Sequence, residues 1–152
     1  MYGNPAAIRR LAQKMRDRSS DLRRQGDDLV SRTESHSWVS LAADRMRESA
    51  AEMAGKLRST AADYDEAAER LDAHAREVQR LLDLIEEIER KVTNMVSEAR
   101  DRIASAAKAI ADGVKGLVSG ADDAFDKMLD AFDPPPAGHK DWLDVPDRLG
   151  VG

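Results

Sequence analysis

The chain contains no cysteine, which removes disulfide cross-links and thiolate metal ligation from consideration. Aromatic residues are scarce, with two Trp, two Tyr and two Phe among 152 residues. A single globular domain of this length would normally bury more of them, so a thin, rod-like core is expected. No run approaches the length of apolar residues that crosses a bilayer. The opening MYGNPAAIRRLAQKMRD has no apolar stretch of signal-peptide type. No strand pattern, glycine-rich phosphate loop or nucleophile–base constellation is evident. His36, His74 and His139 are far apart in sequence. His74 falls on a heptad position and reads as a core or seam residue rather than a metal ligand. No cofactor or metal is therefore expected, and the chain reads as a binding protein, not an enzyme.

Charge and helix formers dominate what remains. Charged residues make up 35% of the chain and the net charge is −5. The balance is uneven: residues 1–33 carry 8 basic and 4 acidic side chains, residues 34–112 carry 12 and 17, and residues 113–152 carry 4 and 8. A basic first helix beside an acidic second one suits an antiparallel pair. It leaves no basic footprint for nucleic acid.

Asn4 and Pro5 form a helix start, cap followed by proline at the first turn. Ile8, Met15, Leu22 and Leu29 then recur every seven residues with Leu11 beside them, the stripe of one amphipathic helix. Gly26 weakens this helix without ending it. The first helix is placed at about residues 5–33, a turn at 34–38, and a second helix at about 39–112. Ser37 and Ser40 are the candidate caps of the second helix. Two heptad series run along it. Met46, Met53, Thr60, Ala67, His74, Leu81, Ile88 and Met95 form one, and Ala50, Leu57, Tyr64, Leu71, Val78, Ile85, Val92 and Ala99 the other. Ile103 introduces a stutter, and Gly113, Gly116 and Gly120 are expected breaks. Residues 113–133 read as an additional helix. Pro134-Pro135-Pro136 ends it, and residues 134–152 are expected to be disordered or docked in extended form. The fold class is all-α: an elongated antiparallel helical hairpin or coiled coil with one long second helix, a third helical segment and an extended C-terminal tail.

The two hairpin helices are unequal. At about 1.5 Å per residue they span roughly 44 Å and 105 Å, so the first covers the second only to about residue 70. Leu71, Val78, Leu81, Ile85, Ile88, Val92 and Met95 are left as an apolar seam. A segment of about 19 residues at 114–132, folding back, covers only about half of the excess. Part of the seam is therefore expected to bind another helical protein, or a second copy of the chain in a coiled-coil homodimer.

The segment Ser37-Trp38-Val39-Ser40-Leu41-Ala42-Ala43-Asp44-Arg45-Met46 resembles the W-x-G-x-A-A-x-x-F/M loop of the WXG100 (ESAT-6-like) proteins. The opening G-N-P-A-A-I-x-x-L-A, and Ala61-Ala62-Asp63-Tyr64 through Ala73-His74-Ala75, resemble the helical N-terminal regions of larger actinobacterial secreted proteins. The likeness spans about residues 3–90. It implies a helical hairpin that dimerises within the type VII (ESX) secretion pathway, cytoplasmic before export and secreted by that route. It also makes Trp38, Val39 and Ser40 the turn motif. Ser40 stands where the family has glycine, which matters if that position needs a positive φ. The family's Y-x-x-x-D/E export signal is missing, because Ala6 and Ala68 lie four residues after Tyr2 and Tyr64. The resemblance then implies a signal-lacking member of a pair: a targeting partner or chaperone for a related hairpin or a secreted effector. A secretion-targeting domain of a larger toxin and a structural homo-oligomer are the alternatives. Membrane binding by residues 103–132 is disfavoured by the acidic face of Asp112, Asp122, Asp123, Asp126 and Asp130.

Overall fold

Asn4 and Pro5 start the first helix as their chemistry dictates. The Asn4 side chain accepts a hydrogen bond from the Ala7 amide at 3.0 Å, and Pro5 occupies a position where the missing N–H costs nothing. The computed structural model describes residues 3–37, 39–112 and 120–151. Helix α1 runs Pro5–Glu34 and α2 runs Leu41–Ala111. Helix α3 follows at Gly120–Asp130, then a 3-10 turn at Lys140–Asp144 and α4 at Val145–Leu149. No strand occurs among the described residues; the chain is all-α, with α1 packed against a very long α2. It divides into two compact units, residues 4–79 and the residues from Arg80 onward, and α2 contributes to both.

Small residues build the hairpin unit. The buried positions of α1 are Pro5, Ala12, Ser19, Gly26 and Thr33, each seven after the last, together with Leu22. On α2, Ala54, Ala61, Ala68 and Ala75 are likewise seven apart and completely buried. Gly26 lies against Ala54: a Cβ at Gly26 would stand 3.4 Å from the Ala54 carbonyl oxygen and 3.6 Å from its Cα. From this contact, stepping seven back along α1 and seven on along α2 matches Ser19 with Ala61, Ala12 with Ala68, and Pro5 with Ala75. Such short side chains let two helix backbones approach at the close end of the usual range. The expected series through Leu57, Tyr64 and Leu71 flanks this seam and is half-buried, and the other expected series runs through Met46, Met53, Thr60, Ala67 and His74. Those five are not at the seam: Met46, Met53, Thr60 and His74 are exposed and Ala67 is half-buried. Ala54, Ala61, Ala68 and Ala75, one residue after the last four, take the seam instead, because a backbone contact as close as Gly26 on Ala54 has no room for methionine.

Ser40 caps α2. Its hydroxyl accepts from the Ala43 amide at 3.1 Å and its carbonyl from the Asp44 amide at 3.0 Å. No non-glycine residue described has a positive φ, so serine at this position carries no backbone strain. Arg47 donates to the His36 carbonyl at 3.1 Å and closes the turn.

The second unit corrects the expectation for the tail. Ile85, Val92 and Ala99 of α2 are buried together with Leu129 of α3, Trp142, Val145 and Leu149. Phe125, Phe132 and Leu143 pack around them. Within this tail Lys140–Asp144 and Val145–Leu149 form helical turns instead of an extended strap. Three apolar residues at Trp142, Val145 and Leu149 supply enough burial to hold a segment too short to fold alone. Trp142 Nε1 donates to the Pro136 carbonyl at 3.1 Å, and the Gly138 amide to Glu89 Oε2 at 3.3 Å. Gly150, at φ 66°, ends α4. The Gly150 amide bonds Asp147 and the Val151 amide bonds Pro146, a Schellman closure that satisfies the last carbonyls. Arg102 grips Asp126 with two nitrogens, at 2.9 and 2.6 Å. Of the expected break points Gly120 begins α3, while Gly113 and Gly116 lie outside the described residues.

Candidate interaction surface

The seven-residue seam divides each hairpin helix into two flanks of opposite chemistry. Positions three after a seam residue point to one side, and positions four after it to the other. In α1 the first set is Ile8, Met15, Leu22 and Leu29, and in α2 it is Leu57, Tyr64, Leu71 and Val78. All eight are apolar or aromatic. The second set is Arg9, Arg16, Arg23 and Val30 in α1 and Arg58, Asp65, Asp72 and Gln79 in α2. Its charged members pair across the helices, Arg16 with Asp72, Arg23 with Asp65 at 2.5 Å, and Arg58 with Asp27, one position past the seam, at 2.7 Å. Two hydrogen bonds, from Arg23 and Ser19, hold the Asp65 carboxyl below the usual carboxylate range. Ser19 is itself buried, and its hydroxyl accepts from Arg23 at 2.6 Å.

The charged flank is thus paired within the hairpin, whereas the apolar flank is incompletely covered. Leu22 and Val78 are buried, while Ile8, Met15, Leu29, Leu57, Tyr64 and Leu71 are half-buried. Further out on this side, Leu11 is 43% exposed, Met46 56% and Met53 57%. Leu11 and Met53 each precede a seam residue by one position, which rotates them outward on the apolar side. At the turn end Val39 is 98% exposed and Leu41 69%, but Leu41 follows the seam register by one position and so stands on the charged side. The outcome is a half-buried apolar strip drawn from both helices, with Leu11, Met46 and Met53 exposed along its edge between polar residues such as Arg18, Gln25 and Thr60, the methionines adaptable in shape.

The residues expected to form a partner seam are dispersed by the fold. Leu71 lies on the apolar flank. Val78, Ile85 and Val92 are buried, and Leu81, Ile88 and Met95 are half-buried. From Ile85 onward the cover comes from the same chain, through Leu129, Trp142, Val145 and Leu149. A straight helix at 114–132 is not the whole cover, because the folded tail adds Trp142, Val145 and Leu149. Trp38 of the turn motif lies outside the described residues. Val39 is almost fully exposed, and Ser40 acts as a helix cap. Leu11, Met46 and Met53 share one outward position only by reference to the small-residue seam, which large-residue periodicity does not reveal. The signal was present in the two seven-residue series of small residues.

No helix among the described residues is long and apolar enough to cross a membrane. Comparison with protein-family models, with curated proteins and with solved structures finds no match.

Proposed function

We propose that the chain is a non-enzymatic protein-binding subunit that docks the apolar flank of its hairpin onto a second helical protein. The carrying observation is the asymmetry of the hairpin. The three ion pairs between its helices lie on one side of the seam, and Leu11, Met46 and Met53 stand exposed on the other. Two amphipathic helices laid on this strip would convert a two-helix layer into a bundle and remove the strip from water. The resemblance of Ser37 to Met46 to the WXG100 loop suggests the class of partner: a related hairpin, or the helical N-terminus of an effector exported by the type VII pathway. The chain would act there as a targeting partner or chaperone.

The test is co-expression with helical proteins encoded beside it, followed by size exclusion with light scattering. A stable complex is expected, with a higher melting temperature than the chain alone. The double variant Leu11→Lys/Met53→Lys should lose the complex while changing the chain's own stability by no more than about 0.5 kcal/mol, as for other surface substitutions. A chain that stays monomeric and gains no stability from any such neighbour would overturn the reading.

A further inference from the structure

A cleft of about 350 Å³ opens in the second unit between α2 and the segment that carries Phe132 and Trp142. This volume lies within the range of sites that hold small molecules. Val92 and Trp142, each at most 3% exposed, form its floor. Val96, Phe132 and Pro134 form the walls. One edge is polar and comes from successive turns of α2: Thr93, Ser97 and Arg100.

Arg100 decides the chemistry. Its Nε donates to Asp130 Oδ1 at 2.9 Å. Its two terminal nitrogens make no hydrogen bond among the described residues, and the side chain is 59% exposed. A guanidinium that offers two parallel donors matches a carboxylate. The Ser97 hydroxyl, three residues before Arg100 on the same face, is also without a protein partner among the described residues. We infer that this cleft binds a small amphipathic carboxylate, its apolar body over Trp142 and its carboxylate on the terminal nitrogens of Arg100. Asp130 keeps its hold on Nε, so it orients the fork and at the same time offsets part of its charge.

The probe is decanoate, with decanamide as its neutral isostere, titrated into the full chain by calorimetry. Decanoate is expected to bind saturably at one site, and decanamide about tenfold more weakly, the loss of one charge-assisted pair. In the Trp38→Phe chain the emission of Trp142 should follow the same curve. Arg100→Gln should weaken decanoate about tenfold with the helical circular dichroism unchanged, and Asp130→Asn should tighten it by releasing the guanidinium. A merely structural role for the Arg100–Asp130 pair would not produce that opposition of sign. No saturable binding below about 1 mM decanoate overturns the site. Equal binding of decanoate and decanamide, or an Arg100→Gln chain that binds decanoate as the parent does, overturns the carboxylate assignment.

Discussion

Gly26 offers the sharpest test of the small-residue seam. It lies in the interior of α1, where glycine costs about 1 kcal/mol relative to alanine. Replacement by alanine recovers that amount if the new methyl fits. The methyl would stand 3.4 Å from the Ala54 carbonyl oxygen, 3.6 Å from its Cα and 3.7 Å from its Cβ, all ordinary van der Waals separations. Burial of the methyl adds up to about 0.8 kcal/mol, reduced by whatever small shift the carbonyl contact demands. Gly26→Ala should therefore stabilise the chain by about 1 kcal/mol, a rise in Tm of about 2–4 °C for a protein of this size. Gly26→Val carries two further carbons toward the Ala54 backbone, which cannot move without disturbing α2, and should cost about 1–3 kcal/mol. The assay is urea denaturation of the parent and both variants, followed by circular dichroism at 222 nm. If Gly26→Ala destabilises by as much as Gly26→Val, the backbones are closer than the register implies. If Gly26→Val is harmless, the helices are not packed at this point.

Three further outcomes are expected. Trp142→Ala should destabilise the second unit by about 3–5 kcal/mol, seen as a loss of protease resistance after Arg80 while cleavage within residues 4–79 is unchanged. Ser40→Ala should cost about 0.5–2 kcal/mol through the lost cap on the Ala43 amide, and Ser40→Gly much less; equal losses would refute the capping role. The third concerns acid. Hydrogen bonds from Arg23 and Ser19 lower the Asp65 pKa, and the Arg102 fork lowers that of Asp126. A folded pKa below the unfolded one gives stability that is fully present above the unfolded value and is lost as pH falls through the folded one. Melting temperature should be flat from pH 7 to about 5 and fall below about pH 4. Asp65→Asn together with Asp126→Asn should flatten that fall.

The heptad pattern made the helical class and the hairpin legible, and the starts of α1 and α2 were legible because Asn4, Pro5 and Ser40 are local signals read within one turn. The second seam series was not, for a physical reason. Hydrophobic periodicity favours large residues, and Met46 and Met53 outweigh alanine on any such scale. A close helix pair selects for the opposite, residues that vanish from the interface. Pro5, Ala12, Ser19, Gly26 and Thr33 share no polarity, only small bulk and a spacing of seven. The tail was misread because its three anchors, Trp142, Val145 and Leu149, make contacts with residues some fifty positions earlier. Long-range burial of that kind leaves no local periodicity. The candidate surface inherits the first error: Leu11 and Met53 were legible as apolar residues, but which way they point follows only from the seam.

The step between three and four residues past the seam separates oil from charge along α1 and α2. Loss or gain of one residue within either helix would turn every later side chain by about 100° and carry arginines and aspartates toward the apolar side. The turn at residues 35–40 can change length at little thermodynamic cost. The helices themselves can lengthen or shorten only in whole blocks of seven, and in step with each other. Chains that share this architecture should therefore differ in hairpin length by multiples of fourteen residues, seven in each arm, with any other difference gathered in the turn.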